Sequence, residues 1–584
     1  MSLYFHSPSP SACPLEYHPD SKHALPSRSS RIRCALNNND MQSPLSSPPI
    51  KVDRRDMLLG LGGLYGATTG MNAHADPIMP PDPSSHYSCK LAVEDNFPRC
   101  SEFLQCCPPY QDQNVEVTDY TFPKTSLRVR RPIQDVANDS EYMEKYKTAI
   151  QKMKALPETD PRNFIQQSKI HCAYCNEALP KKCDPNATIS VHNSWIFLPW
   201  HRYYLHFFER ILGKLIGDDT FALPYWNFDN PNGMTIPSIF TDPDSPLYDD
   251  RRDTGHYPPK IVDYKYKYTD RDVTDDALIA ENLAYMSTTF KEGVPLPELF
   301  MGDSLRAMEN PSNTSPGQME VIHNSIHMWV GESKVPHRDM GTFVTAARDC
   351  IFYALHANVD RLWSFYRALR SNRYEFKDRD WLDATFIFFN EDGQVVRVKI
   401  EDSLNASKLC YTYKESPAPW LGQVAKKKTK VKIPGSQVQV NEFGSERKEL
   451  DKAIQVLVKR PKKSRSKSEK ENEGEVLFIQ DIIVSDGKKA RFDVYIDAPA
   501  APDRASADNI GEFAGSFVKL PDTEQAAKAS KDKKRLLKLG ISSILEDFGI
   551  EDADNIVVTI VPQFGSVSIG GVFIKLIKTD VNSV

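Results

Sequence analysis

WIFLPWHRYYLHFFERILGKLI, residues 195–216, sets apolar and aromatic side chains at three- and four-residue intervals over about six turns, which predicts a helix buried on most sides. His201 stands near its start. Two more segments share the period, GQMEVIHNSIHMWV at 317–330 and ARDCIFYALHANVDRLWSFYRAL at 347–369. Together with EYMEKYKTAIQKMKAL at 141–156 they predict a mainly α catalytic core, a four-helix bundle whose facing side chains hold a metal site.

Six of the 14 histidines fall into two clusters, His171, His192 and His201, then His323, His327 and His356. His323 and His327 are spaced i and i+4, so on a helix both imidazoles leave one face and can grip one ion. A third histidine completes a three-nitrogen site with an open position. Neutral imidazole suits copper, zinc, iron and nickel alike, so one triad does not name its metal. Asp360, one turn after His356, is placed to accept a hydrogen bond from a ligand imidazole, or to cap a loop or pair with Arg361.

The phrases HCAYC, VHNSW, PWHRYYLHFFER, LPYWNFDNP, DMGTF, AARD, HANVDRLW, RDWLDATFIFF, RFDVYID and EFAGSFVKLP follow one another in this order. In them the chain resembles the plant polyphenol oxidases, the catechol oxidases and tyrosinases among the coupled binuclear copper proteins, over nearly all of its length beyond residue 76. The resemblance implies two copper ions per chain, copper A on His171, His192 and His201 and copper B on His323, His327 and His356. It implies oxidation of o-diphenols to o-quinones, with dioxygen reduced to water. A tyrosinase, or a specialised phenol hydroxylase or synthase of plant secondary metabolism, shares these motifs. So does a dioxygen carrier of haemocyanin type, against which the plant-type targeting and the RDWL and RFDVYID segments argue.

Further roles follow from the same resemblance. Cys175 is implied to form a thioether with His192, and Phe343 to gate the copper pair. Glu320 and Asn324 are implied to orient a water that deprotonates monophenols, but Glu320 stands three residues before His323 where the family has four and a proline between. The family's early cysteine and Cys-Cys pair imply disulfides Cys89 to Cys107 and Cys106 to Cys172. Two positions depart from the pattern: Leu355 replaces a histidine beside the ligand His356, and Cys350 replaces a proline.

Of 11 cysteines, nine lie beyond residue 76, an odd number that leaves at least one without a cysteine partner, and sequence alone does not give connectivity. Cys100, Cys183 and Cys350 read as ordinary thiols. The first 50 residues are rich in Ser, Pro, Arg and Asn, as in a plastid transit peptide. Then Arg54 and Arg55 precede a weakly apolar run and Ala73-His74-Ala75, a twin-arginine signal with Asp76 as the first mature residue. The run is too short to span a bilayer, so no stable membrane insertion is expected. The expected location is the chloroplast, in the thylakoid lumen.

The chain of 584 residues is long enough for more than one core. It divides into targeting residues 1–75, a dicopper catalytic domain at 76–421, an exposed Lys-rich linker at 422–450 and a C-terminal β-sandwich domain at 451–584, which the resemblance implies shields the copper pocket and keeps the enzyme latent until it is removed. DWLDATFIFFNEDGQVVRVKIED predicts a β-hairpin inside the catalytic domain. Residues 224–275 read as irregular surface structure. Beyond the linker, AIQVLVKR, GEVLFIQDIIV, ARFDVYIDAP, EFAGSFVKL, NIVVTIVPQ and SVSIGGVFIKLIK predict strands, with a helix near KDKKRLLKLGISSILEDFG. Arg460-Pro461-Lys462-Lys463-Ser464-Arg465 reads as a solvated hairpin tip. A net charge of −5 without a basic face gives no footprint for nucleic acid. Phenolic small molecules and dioxygen are the expected partners, and the sequence leaves the oligomeric state open.

Overall fold

The computed structural model describes residues 76–81, 106–107, 115–122, 124–181, 184–291, 296–309, 314–369, 375–422, 440–486, 488–497, 513–521 and 532–578. The targeting segment, Cys89, Cys100 and Cys183 and most of the linker lie outside them. The helices that frame the core are α1 (Ser140–Lys154), α2 (Phe164–Cys175), α3 (Phe197–Ile216), α4 (Asp275–Lys291), α5 (Gln318–Val330) and α6 (Ile351–Leu369). Gly217, at φ 69°, ends α3 in the left-handed conformation that glycine takes without strain.

The ligand-bearing bundle differs in one member from the sequence reading. His171 rides on α2, while α1 packs outside against α3. Helix α2, FIQQSKIHCAYC, is buried almost all round, so it shows no polar stripe by which a periodicity could reveal it. Its buried amide N–H groups are paired locally: Gln166 Nε2 donates to the Glu158 carbonyl at 2.6 Å and Gln167 Nε2 to that of Pro161 at 2.8 Å.

Residues 224–275 are irregular, as expected, but they are only partly surface. Tyr225, Trp226, Phe228, Met234, Ile236, Phe240 and Tyr264 from this stretch are fully buried in the catalytic core. The hairpin forms as β1 (Thr385–Phe389) and β2 (Val395–Lys399), antiparallel, with Thr118–Asp119 added in parallel to β2.

The C-terminal unit is two sheets face to face. Strands β3 (Ile454–Lys459), β4 (Glu473–Val484), β5 (Ala490–Ile496), β6 (Phe513–Lys519), β7 (Arg535–Gly540), β8 (Asn555–Phe564), β9 (Val567–Ile569) and β10 (Gly571–Lys578) build it. One sheet runs β6-β5-β8-β3; the other runs β7-β4-β9 and then Lys448–Glu449, with β10 also paired to β4. RLLKLG, read as the start of a helix, is strand β7; Leu537 and Leu539 face the core while Lys538 does not, a period of two, and the helix is confined to Ser542–Asp547. The basic run after β3 is not a free tip either. Arg460 is buried and bound twice to Glu475 at 2.9 Å, and buried Arg465 donates to the Glu473 carbonyl at 2.7 Å.

Strand β6 crosses the catalytic helix α5 closely enough that a Cβ on Gly515 would stand 2.9 Å from Gln318 Oε1 and 2.5 Å from a Leu539 methyl. Arg491 on β5 enters the catalytic core, fully buried, and its Nη1 donates to Ser325 Oγ at 3.1 Å and to the carbonyls of Tyr264 and Tyr266 at 3.3 and 3.4 Å. Among the described residues no helix is long and apolar enough to cross a membrane.

Candidate metal centre

Helices α2 and α3 and the turn between them bring His171, His192 and His201 together; α5 and α6 bring His323, His327 and His356 together, and within each triad one ligand atom per residue lies within 4.8 Å of the others. The two triads face each other. The rings of His201 and His356 stack with centroids 4.3 Å apart.

All six imidazoles are at least 98% buried, and their nitrogens divide in a telling way. Nδ1 of His171 faces the Phe343 carbonyl at 3.1 Å, that of His201 the Phe197 carbonyl at 2.8 Å and that of His327 the Met340 carbonyl at 2.7 Å. These carbonyls can only accept, so each Nδ1 carries the proton and each Nε2 lone pair is left facing inward. Nε2 of His171, His201 and His327, both nitrogens of His192 and Nδ1 of His356 have no hydrogen-bond partner, while Nε2 of His323 and Nε2 of His356 face each other at 2.9 Å. Buried polar atoms are rarely orphaned, and a shared inward set of them is what a metal site requires. Burial holds every one of the six below the usual imidazole range, His201 to about 3 and His327 to about 4, so all are neutral and able to ligate. The residues fit two metal ions with imidazole ligands.

Cys175 belongs to the first group, its sulfur within 4.8 Å of the ligand atoms of His171, His192 and His201. It is buried and takes part in no disulfide. Cys106 and Cys172 are bonded, which staples the N-terminal arm to the residue beside His171 across 66 positions of sequence, a loop whose closure is worth about 4 kcal/mol. Cys107 is also disulfide-bonded, and so is Cys410. The implied partner of Cys107, Cys89, lies outside the described residues.

Phe343 lies on His192, ring centroids 3.8 Å apart and nearly parallel, at the edge of a pocket that both line together with Asn324. Asn324 Oδ1 is 3.1 Å from His323 Nδ1. Glu320 is buried and does not line that pocket; both its oxygens accept from the backbone N–H of Asn193, at 2.9 and 3.0 Å, and burial raises its pKa to about 8. Glu320 therefore secures the turn after His192.

Asp360 also differs from its expected role. Its carboxylate reaches no imidazole and is not paired with Arg361, which binds Asp229 instead. It accepts from Arg202 at 2.5 Å, Arg130 at 3.3 Å, Tyr411 at 2.6 Å and Tyr413 at 2.5 Å, tying α3 and α6 to the parallel strand pair Arg128–Arg130 and Tyr411–Tyr413. These donors outweigh burial and hold its carboxyl below the usual range. Leu355 is fully buried in the apolar core. Cys350 is a free buried thiol, pushed up to about 11 by burial.

The far wall of the pocket comes from the C-terminal unit. Phe517, Val518 and Leu520 face the side carrying His192 and Phe343, and Thr342 donates to the Pro521 carbonyl at 3.2 Å. Sequence reasoning from the histidines could not have placed these residues beside the metal centre.

Residues 161–369 match the common central domain of tyrosinase, 375–426 the polyphenol oxidase middle domain and 447–576 the chloroplastic polyphenol oxidase C-terminal domain. A polyphenol oxidase latent form from Prunus armeniaca is 45% identical over 537 residues, covering 89% of this chain and 87% of the relative. The chain belongs to the plant polyphenol oxidases. Among other members, (+)-larreatricin hydroxylase from Larrea tridentata is 40% identical over 584 residues and 96% of both chains. The solved structure of latent apple tyrosinase superposes with a TM-score of 0.73 at 41% identity, covering 79% of this chain and all of that one. As a polyphenol oxidase the chain is a copper oxidoreductase, and its two imidazole triads fit a dicopper site.

Proposed function

We propose that this polyphenol oxidase converts o-diphenols to o-quinones, with copper A on His171, His192 and His201, copper B on His323, His327 and His356, and the C-terminal unit holding it latent. When bound, the coppers supply the electron transfer between diphenol and dioxygen; two diphenols give up four electrons and four protons, and dioxygen takes them to form two waters. The chain does the rest. Carbonyls of Phe343, Phe197 and Met340 fix three ligand tautomers, Phe343 offers an aromatic face at the edge of the pocket, and burial keeps competing water away. A thioether between Cys175 and His192, for which the sulfur is close enough to be drawn in, would lock the one imidazole that has no hydrogen bond of its own.

The observation that carries the reading is the set of orphaned inward nitrogens beside a pocket closed by β6 and the residues after it. Diphenol oxidation is favoured over monophenol hydroxylation because Glu320 is engaged by Asn193 and kept out of the pocket. The proposed boundaries are a catalytic unit at 76–421 and a shielding unit at 451–584, joined by 422–450. The names of the relatives support the chloroplast, and Arg54-Arg55 with Ala73-His74-Ala75 supports the lumen of the thylakoid.

The test is catechol turnover by the copper-loaded chain before and after trypsin cuts between about 422 and 450. Turnover that rises on cutting supports the reading. Turnover that stays unchanged rejects shielding, and none in either state rejects the oxidase.

A further inference from the structure

The residue just past the cap of helix α2 is poorly suited to its place. Asn176 caps the helix and Glu177 follows it at φ 54°, the left-handed conformation that favours glycine or asparagine. A carboxylate there also meets the negative end of the helix. Both local preferences oppose glutamate, and its side chain reaches the copper pocket, whose walls it lines with His192, Asn193, Asn324 and Phe343. Strain kept at such a position points to a use at the site.

Glu177 is the charged side chain that the catalytic unit contributes to this pocket among its described residues. Thr188 Oγ1 donates to it at 3.1 Å. Its other partner comes from the shielding unit: Lys533 Nζ lies 3.3 and 3.4 Å from the two carboxylate oxygens. Lys519 and Arg535 of the same unit line the pocket beside it. The shielding unit therefore brings cations to the mouth, one of them on Glu177, and its departure uncovers an anion.

We propose that Glu177 is a specificity residue of the opened enzyme, selecting o-diphenols that carry an alkylammonium group by taking the place on its carboxylate that Lys533 holds in the latent chain. The inference rests on the oxidase and shielding reading above. Lys533 is the internal rival of the ammonium substrate, so one carboxylate serves as the clasp of the closed form and the discriminator of the open one.

The test uses the copper-loaded chain cut in its linker. It compares kcat/KM for 4-(2-aminoethyl)catechol and for 3-(3,4-dihydroxyphenyl)propionate, similar in size and opposite in charge. For Glu177→Gln the ammonium-to-carboxylate ratio should fall about 5- to 20-fold at low ionic strength, the scale of one partly screened charge pair, and the parent's preference should shrink with added salt. Glu177→Lys should invert it. Glu177→Gly, which relieves the left-handed backbone, should fold at least as stably and lose the preference equally.

A readout independent of turnover is retention of the cut C-terminal fragment on size exclusion without copper. Glu177→Gln and Lys533→Gln should each release it more readily, and the exchange Glu177→Lys with Lys533→Glu should restore it. An unchanged substrate ratio in both Glu177→Gln and Glu177→Lys overturns the proposal. Turnover of neutral 4-methylcatechol by the parent keeps the failures apart: if it is absent, the oxidase reading has failed, and if it is present while the ratio does not respond, the fault lies with Glu177.

Discussion

Arg491 of the C-terminal unit donates to Ser325 Oγ at 3.1 Å, and Ser325 lies on α5 between His323 and His327, the histidines proposed for copper B. The same guanidinium binds Asp493 at 3.0 Å and Ser516 at 3.0 Å, all in the dry interior. One side chain therefore joins the C-terminal unit to the helix that carries two of the three histidines proposed for copper B.

Arg491→Ala should loosen that joint and leave Asp493 buried without its ion partner. Removing one member of a buried pair costs about 3–5 kcal/mol, so thermal unfolding should move down by several degrees. Catechol turnover by the uncut, copper-loaded chain should rise. Unchanged latency would show that the apolar contacts of β6 hold the shield by themselves.

Asp360→Asn should destabilise the catalytic core by about 3–5 kcal/mol, because Arg130 and Arg202 would lose their shared carboxylate. Copper content of the folded protein should stay at the parent's level, since Asp360 touches no ligand. The carboxyl sits below its ordinary value, so its contribution is present above pH about 4 and is lost as pH falls through the depressed folded value. Urea titration of parent and variant from pH 3 to 7 should show the two converging in acid.

Acid should loosen the shield. Lys489 Nζ lies 2.8 Å from His337 Nε2 and 3.5 Å above the Tyr268 ring, joining the two units, with Asp486 acting on the lysine. On the catalytic side His337 also meets the Glu332 carbonyl, while the Glu332 carboxylate is taken by Arg338. Burial, with Lys489 adding to it, lowers the His337 pKa, and burial lowers Lys489 to about 8. Depressed basic groups favour the docked state where they are neutral. For His337 that support is present above pH about 6.5 and is lost as pH falls below it; for Lys489 docking gains further as pH rises past 8. Activity of the uncut chain at neutral pH after a pH 4.5 incubation should therefore exceed that of an untreated sample. His337→Asn, which tolerates the same positive φ, should blunt the effect.

Asn324→Gly should lower the ratio of monophenol to diphenol turnover about tenfold or more, because Asn324 lines the pocket beside His323. Glu320→Gln should move that ratio little, since its carboxylate is spent on Asn193. A parent that hydroxylates monophenols as fast as it oxidises diphenols would contradict the assignment of roles.

The second histidine triad was legible from spacing, two imidazoles one turn apart on α5 and a third on α6, whereas His171, His192 and His201 lie on two helices and a turn and were legible through the phrases around them. Helix α2 was not, because a helix buried all round carries no periodic contrast between apolar and polar faces. RLLKLG in β7 alternates, but so short a run beside a true helix gives the helical period equal support. The bonds of Asp360 to Tyr411 and Tyr413 span more than 50 residues, and that of Lys533 to Glu177 spans 356. Such partners are chosen by the tertiary fold, so local sequence holds no record of them. Trp226 and Tyr264 show the converse error: a Pro- and Asp-rich stretch reads as surface, although its aromatics are what it buries.

Elemental analysis of the copper-loaded, uncut chain tests the central claim most directly. Two coppers per chain for the parent, falling to one in His327→Ala while the fold persists by circular dichroism, is the predicted result. One copper per parent chain, or zinc taken up in preference to copper, would contradict a coupled pair built from the six imidazoles.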